Sequence, residues 1–216
     1  MVKIRSNLTS ANSFHPKIIT YIEFDKEDER PSEDCQLDLV YELPASVFVD
    51  PYQLQDLESS IGKATVFGEH DLELPLEKVK EPQGSLVFLR QTSSSPVVEL
   101  PIHNRYQRPA SDKIYQSVTI QPPYAGWTCG RAPWPVLDHP LLPKTEAYPR
   151  FIPLHTSQQD SLTLFVPVGR VQDRQWVTLG TFCVVVWCTV WIASSIMLSV
   201  KKRKRTEAKG KRRKSD

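Results

Sequence analysis

Side chains that could carry out chemistry are present in this chain of 216 residues, but their spacing matches none of the usual catalytic motifs. There is no Gly-x-Ser-x-Gly turn for a nucleophilic serine, no glycine-rich phosphate loop and no His-x-x-x-His metal pair. The sequence also lacks an Asp-x-Asp triplet, the acidic pair with which many glycosyltransferases hold a metal. We therefore expect no catalytic residue, no metal and no cofactor, and we favour a binding protein over an enzyme.

Five histidines are scattered along the chain, and one of them lies in a stretch rich in cations, "LPIHNRYQRPA". This stretch places His103, Arg105, Tyr106 and Arg108 directly behind a strand-like run. One interpretation is a polar hairpin loop whose cations stack on Tyr106. The other is a recognition loop, because exposed loops on a rigid scaffold often bind partners.

The four cysteines divide between two environments. Cys35 and Cys129 lie in the polar part of the chain, and Cys183 and Cys188 lie inside an apolar run. No pair has the spacing of a zinc site with histidine partners. In an oxidising compartment Cys35 and Cys129 can form a disulfide; the alternative is two free buried thiols that act as small apolar side chains. The sequence leaves both alternatives open.

The elements that must position these residues are mainly short strands. Apolar runs separated by Pro, Gly, Ser and Asp occur at 18–24, 36–43, 64–67, 71–74, 85–90, 97–102 and 115–121. In 36–43, Leu37, Leu39 and Tyr41 alternate with polar residues, which is typical of a half-buried strand. This pattern predicts a mainly β fold, an antiparallel β-sandwich-like domain over residues 18–121 that follows a flexible N-terminus at 1–17.

Two segments interrupt the strand pattern. One short helix is predicted after Asp50, which can act as its cap before Pro51, with Leu54, Leu57 and Ile61 on one face and Gly62 at its end. Residues 122–175 have eight prolines between Pro122 and Pro153, a density that predicts an extended connection without helix or central strand. We expect this connection to be either a disordered stalk or a segment that lies across the domain or against a partner. One last strand is predicted near 162–167.

A membrane-spanning helix is predicted at residues 176–200. These 25 residues contain no charge, and as a helix they extend roughly 37 Å, enough for a hydrocarbon core of about 30 Å. A buried core helix is the alternative, but such helices are usually shorter. Residues 201–216 follow with ten Lys and Arg against two acidic residues, whereas residues 1–200 carry 17 Lys and Arg against 23 Asp and Glu, a net charge of −6. An acidic body argues against a nucleic-acid partner.

The charges predict the orientation of the span. The basic tail lies in the cytosol by the positive-inside rule, and the N-terminal part is lumenal; a tail-anchored orientation is the weaker alternative. Asn7-Leu8-Thr9 is a glycosylation sequon, which matters only on the lumenal side. The start of the chain has no apolar signal segment, so we expect the natural start to lie upstream of Met1.

Three features together resemble the PIG-X family, the small non-catalytic subunits of GPI mannosyltransferase I. They are "CQLDLVYELPASVFVDPYQLQDL" at 35–57, "VELPIHNRYQRPASDKIYQSVTIQPP" at 98–123 and the single C-terminal span. The resemblance implies a single-pass glycoprotein of the endoplasmic reticulum membrane whose lumenal β-rich domain stabilises a multispanning catalytic partner of the PIG-M type. That partner adds the first mannose of the GPI anchor.

The resemblance leads to residue-level hypotheses about partner contact. Candidates are taken from both blocks: Phe48, Val49, Pro51, Tyr52, His103, Arg105, Tyr106, Arg108 and Pro109. For Phe48 and Tyr52 an equally good interpretation is that their side chains pack in the core of the sandwich and contact no partner. Arg213 and Lys214 in the tail are similar to a dibasic retrieval signal for the endoplasmic reticulum. The main rival function is a single-pass cell-surface receptor or adhesion module with a β-sandwich ectodomain.

Overall fold

The computed structural model describes residues 3–23, 32–69, 71–80, 84–91, 96–130, 139–142, 150–154 and 160–212. By internal contacts the chain divides into two units, Met1–Val168 and Gly169–Asp216. In the described part of the chain, the first unit consists of β-strands and two short helices, and the second contains one long helix.

The described residues of the first unit form twelve strands and two short helices. The strands are β1 Lys3–Thr9, β2 Lys17–Glu23, β3 Cys35–Leu43, β4 Val47–Phe48, β5 Lys63–Gly68, β6 Ser85–Arg90, β7 Val97–Pro101, β8 His103–Asn104, β9 Tyr115–Ile120, β10 Tyr124–Cys129, β11 Arg150–Pro153 and β12 Leu162–Pro167. The helices are α1 Pro51–Asp56 and α2 Glu58–Ile61, and a 3-10 turn covers Leu76–Lys78.

The strands form antiparallel sheets whose inner faces share one core. The larger sheet has the order β11-β10-β3-β6-β5, a second has the order β1-β2-β7, and β12 pairs with β9. Strict alternation directs Leu39, Tyr41 and Leu43 of β3 inward, where they meet Ile18 of β2 and Leu164 of β12. The mainly β, sandwich-like fold predicted from the sequence is confirmed.

The N-terminus is part of this domain, so its prediction as a flexible segment is wrong. The whole of β1 pairs with β2, from Lys3 opposite Glu23 to Thr9 opposite Lys17. Ser6 and Thr20 share a buried hydrogen bond of 3.1 Å between their hydroxyl oxygens, and the Tyr41 hydroxyl donates to Thr20 at 2.9 Å. This polar chain ties the two sheets together inside the core.

The Pro-rich connection also contributes strands, contrary to the prediction. β10 lies between β3 and β11 in the larger sheet, and it follows Pro122 and Pro123 directly. A second apolar cluster, the outer cluster, covers the other face of this sheet; it comprises Val40, Leu86, Leu142 and Phe151. The connection therefore crosses the domain at its described residues, while 131–138, 143–149 and 155–159 lie outside the described part of the chain.

Among its described residues, 169–212, the second unit has the helix α3 Arg174–Arg212, with a 3-10 turn at Val171–Asp173 before it. Within the described residues, α3 is the helix that is long and apolar enough to cross a membrane. Its 39 residues exceed the 25 predicted for the span, because the helix continues without a break from Val200 through the basic residues that follow.

Candidate partner-binding surface

The structure brings the two sequence blocks together in a short two-stranded ladder. β4 from the first block pairs with β8 from the second, with Val47 opposite Asn104 and Phe48 opposite His103. The backbone N–H of Arg105 donates to Ser46 at 2.9 Å, which extends the ladder by one bond. Residues far apart in the sequence thus form one surface, which we call the motif surface: Phe14, His15, Phe48, Tyr52, His103 and Tyr106.

Helix α1 presents Tyr52 because of the way that the helix begins. The Asp50 carboxylate accepts from the backbone N–H of Tyr52 at 2.9 Å, and Pro51 occupies the first turn. Leu54 points inward and is buried, which leaves Tyr52 on the opposite face. The predicted helix is present as two short helices with a break at Leu57.

The segment before β2 completes the motif surface. The backbone N–H of Asn104 donates to Phe14 at 3.1 Å, and the Asn104 side-chain amide donates to the Ser13 carbonyl at 2.9 Å. Pro16 accepts from the backbone N–H of Ile102 at 3.0 Å. These bonds fix Phe14 and His15 beside β8.

Ring stacking orders the centre of the surface. The Phe48 and His103 rings are nearly parallel with centroids 5.2 Å apart, and the Arg105 guanidinium lies 4.7 Å from the Phe48 centroid. His15 packs edge-on against His103 at 5.0 Å. Phe48 therefore packs against both a buried cation and an imidazole, contacts that pre-order the surface.

Hydrogen bonds define the tautomers of the two histidines. His103 Nε2 lies 2.9 Å from the Gln53 amide oxygen, which can only accept, so Nε2 carries the proton. Neutral His103 then accepts at Nδ1, and His15 Nδ1–H donates to it across 2.9 Å. Burial and the nearby charge of His15 lower the pKa of His103, while Asp50 opposes them. His103 therefore resists protonation.

Two tyrosines are the most exposed aromatic members of the surface. Tyr52 is 74% exposed and Tyr106 is 80% exposed, and Tyr106 contacts Phe14 with ring centroids 5.1 Å apart. Arg108 and Pro109 are exposed nearby, with Arg108 in an ion pair with Glu77 at 3.6 Å. Tyrosine and arginine are the residue types that most often dominate the energy of protein interfaces.

Val49 and Arg105 are buried, so their prediction as direct partner contacts is wrong. Val49 is fully buried in the shared core, and Arg105 is only 4% exposed. The Arg105 guanidinium donates to the backbone carbonyls of Leu74 and Asp71, the latter at 2.8 Å. Burial lowers its pKa, and the charges of Glu69 and Asp71 counteract this. Arg105 thus fastens the 71–74 segment to β8 and supports Phe48 from below.

The remaining predicted sites lie elsewhere. Asn7 is exposed on β1. Of the two alternatives for Cys35 and Cys129, the structure has the disulfide, with the two residues opposite each other on β3 and β10. Arg213 and Lys214 lie outside the described residues. Within the described part of the chain, no group of three or more His, Cys, Asp or Glu is arranged to hold a metal ion.

Sequence reasoning missed Phe14, His15 and Gln53. A signal for the first two was present, because Ile4 and Leu8 alternate with Lys3, Arg5 and Asn7 and so indicate a strand before them. A strand there followed by Pro16 would have predicted an ordered turn at 10–16. No local pattern could have placed His15 against His103, 88 residues away.

Comparison with known proteins gives one family over most of the chain. The model of the family PIG-X / PBN1 matches residues 11–197. Protein PBN1 of Saccharomyces cerevisiae is 25% identical over 194 residues, which cover 88% of this chain and 44% of the yeast protein. The human GPI alpha-1,4-mannosyltransferase I, stabilizing subunit, is 25% identical over 198 residues, covering 86% of this chain and 76% of the human protein.

The yeast relatives are longer than this chain. Protein PBN1 of Debaryomyces hansenii is 32% identical over 125 residues, 57% of this chain but only 26% of the yeast protein. The chain thus spans between about a quarter and a half of the length of these two curated yeast relatives.

Proposed function

The chain belongs to the PIG-X / PBN1 family, and on that premise we propose that it is a non-catalytic, stabilising subunit of GPI mannosyltransferase I. It binds a multispanning catalytic subunit of the PIG-M type, which adds the first mannose during GPI-anchor biosynthesis. The name of the human relative supports this role.

The observation that carries the proposal at the level of residues is the motif surface. The two blocks that gave the family resemblance are separated by forty residues, yet they meet at β4 and β8, and Tyr52 and Tyr106 are both exposed. The residues beneath them, Val49 and Arg105, are buried and held in place. A pre-ordered surface of this kind loses little entropy on docking. We propose it as the contact with the catalytic subunit.

The proposed location is the endoplasmic reticulum membrane, with the first unit in the lumen and the basic tail in the cytosol. The cations that follow Val200 support this orientation through the positive-inside rule. The Cys35–Cys129 disulfide supports it independently, because such bonds persist in oxidising compartments. Asn7 is exposed and so accessible to a glycan.

Depletion of the chain from cells tests this function. Loss of a stabilising subunit should lower the abundance of the catalytic subunit and the amount of GPI-anchored protein at the cell surface together. Re-expression of the full chain should restore both. Normal levels of both in depleted cells would contradict the proposal and favour the cell-surface receptor instead.

A further inference from the structure

The span continues into a basic helix without a break, so Lys201, Lys204 and Arg205 occupy regular helical positions. The apolar run ends at Val200, the cations after it begin at Lys201, and α3 passes through both residues without a break. Because the helix is regular there, a residue four positions after an apolar one lies on the same side. Lys201, Lys204 and Arg205 therefore lie on one side of the helix, which a flexible tail would not ensure.

One side combines apolar and basic residues in a single groove. Three apolar residues are followed by three cations along it, and together they line it: Ile196, Met197, Val200, Lys201, Lys204 and Arg205. From Ile196 to Arg205 the helix rises about 14 Å. The groove thus begins inside the apolar run and ends among the charges just beyond it.

The cations of this groove differ from their neighbours in ion pairing. Arg203 donates to Glu207 at 2.9 Å, which neutralises part of the charge elsewhere on the helix. Lys201, Lys204 and Arg205 are exposed, and none is in an ion pair with a carboxylate in the described part of the chain. Their charge remains available to a ligand.

We propose that this groove binds an anionic phospholipid of the surrounding bilayer. The lipid phosphate lies against Lys201, Lys204 and Arg205, and an acyl chain lies along Ile196, Met197 and Val200. Guanidinium groups bind phosphate oxygens in a bidentate manner and ammonium groups add point charge. Phospholipid fits better than nucleic acid, because the cations begin one residue after the apolar run, at the depth of lipid headgroups. The proposal does not depend on the proposed mannosyltransferase role.

Energy transfer from the tryptophans of the span to a dansyl-labelled lipid tests the site in the full chain. The protein is reconstituted in phosphatidylcholine vesicles with increasing dansyl-phosphatidylserine. The variant Lys201→Gln/Arg205→Gln should raise the half-saturating fraction of dansyl-phosphatidylserine by up to about 30-fold. This is the effect expected when two cations that attract the anionic headgroup are removed. Dansyl-phosphatidylcholine should show no saturable transfer.

The matched control is Lys202→Gln/Arg203→Gln, which removes the same two types of cation from neighbouring positions outside the groove. Its shift should be no more than about fivefold, because Arg203 is already paired with Glu207. Equal shifts in the two variants would mean a diffuse charge effect and would overturn the site. Displacement of the labelled lipid by millimolar glycerol 3-phosphate would assign the cations to free phosphate and would also overturn it.

Discussion

Replacing Tyr52 and Tyr106 together by alanine should release the chain from the proposed catalytic partner while leaving the chain folded. Both rings lie on the motif surface, and they are 74% and 80% exposed in the isolated chain. Neither ring belongs to a buried cluster. Their removal should therefore change the stability of the folded chain little. A docked complex would lose the whole contact area of both side chains.

The magnitude follows from the area that a partner would cover. A buried tyrosine contributes about 150–250 Å², and about three quarters of each ring is available here. More than 100 Å² per ring at about 25 cal/mol per Å² gives about 3 kcal/mol. Ordering of the interface reduces this value, so we expect about 2 kcal/mol per ring, or roughly 30-fold in Kd for each residue.

The assay is co-purification of the catalytic subunit with the tagged full chain from detergent-solubilised membranes. The double variant should retain little of the partner, and its thermal unfolding midpoint should match that of the native chain. Tyr21→Ala is the control, since Tyr21 is a 42% exposed tyrosine on β2 that does not belong to the motif surface. A native yield of partner with the double variant would refute the assignment of this surface.

Three further predictions concern the fold, the histidine pair and the topology. Gly126→Ala should destabilise the first unit by about 1–3 kcal/mol, because the added Cβ would lie 2.1 Å from the buried Phe151 ring; an unchanged denaturation midpoint would contradict this. The pKa of His103 is lowered in the folded chain. As the pH falls, the imidazole is therefore protonated in the unfolded chain, near pH 6.5, before it is protonated in the folded chain. The free energy of unfolding should decrease as the pH drops below about 6.5. The melting temperature should therefore drop more between about pH 7.5 and 5.5 in the native chain than in His103→Gln, and equal drops would show that His103 is not responsible. Asn7→Gln should abolish a glycosidase-sensitive shift in gel mobility, and absence of that shift in the native chain would count against a glycosylated, lumenal Asn7.

The fold class could be predicted because the strongest strands carry a local signal. In β3, alternation of Leu37, Leu39, Tyr41 and Leu43 with polar residues identifies both the strand and its inner face. The signal for β1 was weak, because the polar Ser6 interrupts the apolar face that Ile4 and Leu8 begin, and burial of Ser6 depends on the distant hydroxyls of Thr20 and Tyr41. Local patterns cannot reveal a polar residue that is satisfied by tertiary contacts.

β10 was not predicted from the sequence for a different reason. The prolines before it suggested an extended connection, but a proline immediately before a strand does not interfere with its ladder. Inside the strand, Gly126 leaves space for Phe151 from β11, a contact between residues whose separation gives no local signal. The disulfide at Cys129 depends on the same register with β3.

For the candidate site, motif recognition found both blocks and most of the exposed residues. It could not separate contact residues from supporting residues, because burial of Val49 and Arg105 depends on how β4 and β8 pair. It also missed the contribution of Phe14 and His15, which the chain brings in from the N-terminal segment.

Site-specific photo-crosslinking in cells tests the central claim most directly. A photoreactive amino acid at position 52 or 106 of the full chain should form a covalent product with the catalytic mannosyltransferase subunit, identified by mass spectrometry. The same amino acid at position 21 should not form this product. Crosslinking at position 21 but not at 52 or 106 would contradict the motif surface as the contact, and no crosslink to a mannosyltransferase from any of the three positions would contradict the subunit role.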